Sequence, residues 1–262
     1  MTNGWIFPPL TKEVQFDEKW SFVHNKEKNC SLFNPPESCG DNWDHTAVDA
    51  EHRLVLSLVP GKRTAENCEK LVADVKRRTG GRGDILFTSD EHAPYTGALE
   101  KVYGQDVPVP KRPGPGRPPK AQKIMPPEMC YGTVRKTREK GLVVEVVRAL
   151  IFGTAALLDL LLTRSTVSRT INTSFVERNN GTDRGQNARK GRKTYCFSKD
   201  WDLHNAASYF IAFSYNFCWP VRTLDVLCND GKRLKCTPAM AAGLSDHIWS
   251  TEEWATYPAR AP

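Results

Sequence analysis

A chain of 262 residues with 39% hydrophobic side chains has enough apolar material to close one large domain or two small ones, which excludes a disordered tail. Its 37 lysines and arginines against 30 aspartates and glutamates leave a formal charge of +7, so a polyanion, nucleic acid first, is the expected class of partner. The eight cysteines form no C-x2-C pair, which excludes a readable zinc ribbon or thioredoxin-like motif, and with no signal peptide at the start the thiols are expected reduced.

From Glu13 to Val23, Val14, Phe16, Trp20 and Phe22 alternate as in a strand buried mainly on one face, with Asp17 and Glu18 in its middle. His45–Asp49 and Arg53–Val59 read as two further strands joined by a tight turn, which predicts an antiparallel meander. Thr64 is a good N-cap, and Leu71, Val72 and Val75 recur at helical spacing until Gly80 and Gly81. A fourth strand, Asp84–Thr88, ends at Ser89, Asp90 and Glu91, and Ala93–Tyr103 reads as a short helix.

The stretch 111–127 is rich in proline, glycine and basic residues and is expected to be an exposed insertion. Within it, Pro113 to Lys120 is similar to an AT-hook, with Arg117 as the reader of a narrow minor groove; the alternative is a basic linker touching only phosphates. Met129–Arg138 and Leu142–Val147 are expected to pair as a hairpin. The apolar run Gly141–Leu162 is long enough to span a bilayer, but Glu145, Arg148 and Asp159 interrupt it; it is read as buried soluble core, with no membrane partner. Helices are predicted over Thr154–Leu162, Asn172–Asn187 and Trp201–Cys218, the last with Ala206, Tyr209, Phe210, Phe213 and Phe217 as its apolar stripe. Trp201, Tyr215 and Trp219 are assigned to the core with them. The six histidines show no ligand spacing, and His92, two residues past Asp90, is read first as a turn histidine.

Three carboxylates fall where the pattern predicts a strand centre, a strand end and a helix face: Asp17, Asp90 and Glu177. A two-metal phosphoryl-transfer site needs hard oxygen ligands converging from separate elements, and these three residues suit it. Strand alternation sends Glu18 and Glu91 to the other face, so the aspartate is the expected ligand in each pair. From Arg178 to Lys193 six basic residues accompany the single acid Asp183. Arg184, seven residues after Glu177, and Asn180, three after it, share the glutamate's helical face, where a cation can hold a DNA phosphate and an amide can orient a carboxylate.

VQFDEKWSFV from Val14, TSDEHAPY from Thr88, and above all NTSFVERNNGTDRGQNARKGRKTYCFSKDW from Asn172 resemble the catalytic domain of insertion-sequence-one type transposases, members of the DDE recombinases. The likeness continues through YNFCWPVRT and TPAMAAGLSDHIW, so it covers Lys12 to Trp249. It implies an α/β, ribonuclease H-like mixed sheet, three antiparallel strands and then parallel ones, flanked by helices. It also implies Asp17, Asp90 and Glu177 as catalytic and metal-binding residues, with Mg²⁺ as cofactor and Mn²⁺ able to replace it. The implied reaction is cleavage and strand transfer of an insertion sequence, by a homo-oligomer on transposon ends and target DNA in the cytoplasm, at the nucleoid.

The expected division is a first part of the catalytic domain over 1–110, the insertion 111–127, a second part over 128–220 carrying the Glu177 helix, and a tail over 221–262. Expected DNA contacts are Arg117, Lys120, Asn180, Arg184, Arg189, Lys190, Arg192 and Lys193. Transposases of this type carry an amino-terminal zinc-binding and helix-turn-helix segment, whereas only eleven residues precede Lys12; end recognition is therefore expected to be missing. The alternative reading is a DNA-binding remnant or fragment that keeps the fold without the reaction.

Overall fold

The computed structural model describes residues 10–31, 38–108, 122–191, 193–229 and 231–257. The chain begins with strands β1 (Glu13–Val23), β2 (Gly40–Asp49) and β3 (Leu54–Gly61), then helix α1 (Ala65–Arg78), strand β4 (Leu86–Asp90) and helix α2 (Pro94–Tyr103). Strands β5 (Gln105–Val107) and β6 (Gln122–Ile124) pair as a small ribbon, so the end of the expected insertion is in fact strand. Next come β7 (Cys130–Glu139), β8 (Leu142–Phe152), α3 (Ala155–Arg164), α4 (Ser174–Gln186) and α5 (Trp201–Cys218). A short hairpin, β9 (Val226–Leu227) with β10 (Arg233–Leu234), precedes α6 (Pro238–Ala241) and α7 (Thr251–Thr256).

Six strands form one mixed sheet in the order β3-β2-β1-β4-β7-β8. The first three are antiparallel, β4 runs parallel to β1, β7 runs parallel to β4, and β8 returns antiparallel. Because side chains alternate along a strand, each strand feeds both faces. On one face Val14, Phe16, Ala47, Leu54, Leu56, Ile85, Phe87 and Tyr131 pack with α1 and α2 residues such as Leu71, Val75, Tyr95 and Leu99. On the other, Val48, Val55 and Leu58 meet Val176 of α4 and Ala212 and Tyr215 of α5, and Leu86 and Cys130 meet Leu161 of α3. The caps are local: Thr64, Thr154 and Asp200 each accept from a backbone N–H in the first turn of α1, α3 and α5.

Three expectations are corrected here. The run from Gly141 is not buried core: β8 is an edge strand with one neighbour, and Leu142, Val144 and Val146 are 72%, 53% and 38% exposed. The apolar stripe of α5 is buried only in part: Phe217 and Tyr215 are core and Tyr209 packs against it, whereas Ala206, Phe210 and the following Trp219 are exposed. The buried face also carries His204, Ser208 and Asn216, each with a partner: Ser198 and Ser21 for His204, the His204 carbonyl for Ser208, and the backbone of Val55 for Asn216. Finally, Cys30 and Cys39 are joined in a disulfide, since antiparallel pairing of Phe22 with Asp41 brings the two ends of the β1–β2 connection together. No helix among the described residues is long and apolar enough to cross a membrane. Residues after 220 are anchored, with Val221 N–H donating to the Cys236 carbonyl and Ala242 and Leu244 packing on the main core.

A buried charge quartet ties α4 and the segment after it to the sheet. Lys19 pairs with Asp183 of α4 and lies 3.4 Å from its cross-strand neighbour Asp44, while Lys190 pairs with Asp44 and lies 3.9 Å from Asp183. Burial pushes the Asp44 carboxyl upward, but Lys190 and Lys19 outweigh it and hold the group well below the usual carboxylate range. Asp44→Asn would leave Lys19 and Lys190 sharing only Asp183, so it should cost about 3 kcal/mol in a urea unfolding experiment with an unchanged slope. A loss within about 0.5 kcal/mol would mean that the quartet is not what holds α4.

Candidate metal centre

Alternation along β1 directs Gln15, Asp17 and Lys19 toward α4, and Val14, Phe16 and Glu18 toward α1 and α2. Phe16 is opposite Ser89 in the parallel β1–β4 register, so Asp17 and Asp90 are the next residues on neighbouring strands and share the α4 side. Strand β4 ends at Asp90, which opens the sheet at this edge. A carboxylate oxygen from each of Asp17, Glu18 and Asp90 lies within 4.8 Å of the other two.

The site's geometry is fixed by hydrogen bonds from both sides. Asp17 Oδ1 accepts from the Glu18 N–H at 2.9 Å, and Oδ2 accepts from Asn180 Nδ2 at 2.7 Å. Asp90 Oδ1 accepts from the His92 N–H at 3.1 Å, a turn closure that stops the strand. Burial raises the Asp17 carboxyl to about 7, reinforced by repulsion from Asp90, Glu18 and Glu177; Asp90 is raised by burial and by Glu18. These acids are held together at a cost that a cation would remove.

Helix α4 reaches the site because Gln15 caps it from within the sheet. Its Oε1 accepts from the N–H groups of Phe175 and Val176 at 2.9 and 3.1 Å, and its Nε2 donates to Asn172 Oδ1 at 3.0 Å. Glu177, one residue further on, stands outside the three-carboxylate cluster among the described residues. Its Oε1 accepts from Thr173 Oγ1 at 2.6 Å and is ion-paired with Lys136 of β7, although its charge is felt at Asp17.

The residues expected to contact DNA divide three ways. Lys190 is corrected: its side chain is wholly buried and bound to Asp44, so it has no ammonium to offer a phosphate. Arg184 and Arg189 are half-buried, Lys193 is exposed, and Asn180 is buried with its amide on Asp17. Arg117, Lys120 and Arg192 lie outside the described residues. Two site residues were missed. Glu18 was set aside because alternation turns it away from Asp17, yet just beyond the last residue of β4 its carboxylate still comes within 4.8 Å of both aspartates. Lys136 had no signal beyond a basic residue in a charged hairpin.

No family model matches the chain, and no curated protein matches it.

Asp17 is a weaker acid in the folded chain than in the unfolded one. Its folded value, about 7, lies above its ordinary value of 3.8, so its stabilising contribution is complete below pH 3.8 and is lost as pH rises to 7. In chelator, Asp17→Asn should therefore melt higher than the parent near pH 7.5, with the gap closing near pH 4. Equal melting temperatures at pH 7.5 would mean that Asp17 is not strained by its neighbours.

Proposed function

We propose that the chain is a DDE-type transposase carrying out metal-dependent DNA strand cleavage and strand transfer, on a ribonuclease H-like fold. The strand order, three antiparallel strands followed by two parallel ones with β1 central, supports that fold. The observation that carries the function is the side-by-side placement of Asp17, midway along β1, and Asp90, at the end of the parallel strand β4, with α4 clamped over Asp17 through Asn180. That donor set is all carboxylate oxygen, which suits Mg²⁺ or Mn²⁺, and a buried Asn180 Oδ1 beside it has no partner.

Divalent cations at such a site supply Lewis-acid polarisation of the scissile phosphate and of the attacking oxygen. The protein's own part is positional. Asn180 and the Glu18 N–H hold the Asp17 carboxylate in one orientation, and the His92 N–H holds Asp90. Lys136 pairs with Glu177, and release of that ion pair would free the carboxylate to join the other acids. In cleavage a water oxygen bonds to phosphorus while the bond to the 3′ oxygen breaks, leaving a 3′-hydroxyl. That hydroxyl then attacks a target phosphodiester, and the displaced oxygen takes up a proton; no covalent protein intermediate is required.

Asp90→Asn keeps the side-chain volume but removes one ligand charge, so cleavage and transfer with Mg²⁺ should fall at least about 1000-fold, roughly 4 kcal/mol in the barrier, while the fold persists. Retained cleavage would remove Asp90 from the reaction. A parent protein that binds DNA but neither cuts nor joins it would belong to the alternative class, a DNA-binding remnant.

The basic segment carries a separate expectation. Lys193→Ala should weaken DNA binding and reduce the slope of log affinity against log salt by about one phosphate contact, whereas Lys190→Met should lower stability through loss of the buried pair. A flattened salt slope for Lys190→Met with unchanged stability would contradict its burial.

A further inference from the structure

Glu18 faces away from Asp17 into a pocket of soft and borderline donors on the α1 and α2 side of the sheet. Its Oε2 accepts from Arg63 Nε at 3.3 Å and Nη2 at 2.9 Å, which fixes the carboxylate plane. Its Oε1 has no hydrogen bond of good geometry although the side chain is only 1% exposed; the buried Tyr95 hydroxyl, likewise without one, is the neighbouring donor turned toward Glu18. Glu18 Oε1 lies 4.0 Å from His92 Nε2, which is also buried and unpartnered. The Sγ of Cys68, on the buried face of α1, completes a set in which one ligand atom from each residue lies within 4.8 Å of the others. Across the β1–β2 ladder from Glu18, His45 donates Nδ1–H to the Val59 carbonyl at 3.1 Å, leaving its own buried Nε2 lone pair without a partner.

We propose that Glu18, Cys68 and His92 form a binding site for a thiophilic divalent cation of the zinc type, adjoining the carboxylate site of Asp17 and Asp90 through the shared Glu18. The donor chemistry separates the two sites: thiolate and imidazole select zinc-like ions, whereas carboxylates alone suit Mg²⁺. Bonds of about 2.0 to 2.3 Å in a tetrahedron place donor atoms roughly 3.3 to 3.8 Å apart, so the three groups need close by only about 1 Å. Three protein ligands leave a fourth position for water. Burial pushes the metal-free Cys68 thiol up to about 12, so binding displaces its proton to solvent as the Cys68 sulfur–metal bond forms. An ion there would join β1, α1 and the turn after β4, and so brace Asp90 from behind.

The test uses the full chain, stripped with chelator and titrated with Co²⁺. One equivalent should produce a saturable near-ultraviolet band from thiolate-to-cobalt charge transfer, displaced by stoichiometric Zn²⁺ and unaffected by millimolar Mg²⁺. Cys68→Ser should lose the band. His92→Gln, at a less buried position, should keep the fold and bind Co²⁺ at least about tenfold more weakly. Asp90→Asn should leave the band unchanged while losing Mg²⁺-dependent cleavage, so failure of the zinc-type site and failure of the transposase reading are told apart. No band in the parent, a band that persists in Cys68→Ser, unweakened binding in His92→Gln or displacement by Mg²⁺ would overturn the proposal.

Discussion

The arrangement depends on three contacts between one face of β1 and α4. Gln15, Asp17 and Lys19 recur every second residue, so their side chains rise along one face in steps of about 6.7 Å. On α4 their partners are the Phe175 and Val176 N–H groups, Asn180 and Asp183. Those helical partners rise by about 4.5 to 7 Å between contacts, so strand and helix run commensurately over this length. A one-residue slip of β1 would turn all three polar groups to the apolar α1 and α2 face and present Phe16 to α4.

The same face carries two opposite electrostatic solutions. Around Lys19, two lysines and two aspartates are buried together and their formal charges cancel. Two residues earlier, Asp17 and Asp90 stand with Glu18 close behind, and both aspartates are raised rather than lowered. A compensated cluster anchors structure, whereas an uncompensated one of the same residue types holds free energy that only a cation or a proton releases. The helix that bears Asn180 and Glu177 spans both, which is how the anchor sets the position of the acids.

The limits of β1 and α5 were legible from sequence because alternation and helical recurrence of apolar residues are local properties. Asp17, Asp90 and Glu177 stood out for their places in the pattern, and the structure sets the first two side by side while Lys136 holds the third apart. Composition does not distinguish a buried strand from an apolar edge strand, and β8 was misread for that reason. Lys190 sits in a run of basic residues and only the fold shows that Asp44 claims it. Glu18 and Cys68 are 50 residues apart, and nothing in their spacing foretells a meeting created by α1 packing on the sheet face toward which Glu18 points.

The central claim is that Asp17 and Asp90 hold a divalent cation and that Glu177 leaves Lys136 to join them. A crystal structure of the chain with Mn²⁺, read by anomalous scattering, measures this directly. The account predicts a peak with Asp17 and Asp90 oxygens at about 2.1 Å and the Glu177 carboxylate turned away from Lys136 toward it. A saturated crystal with no peak at these aspartates, and Glu177 still paired with Lys136, would contradict it.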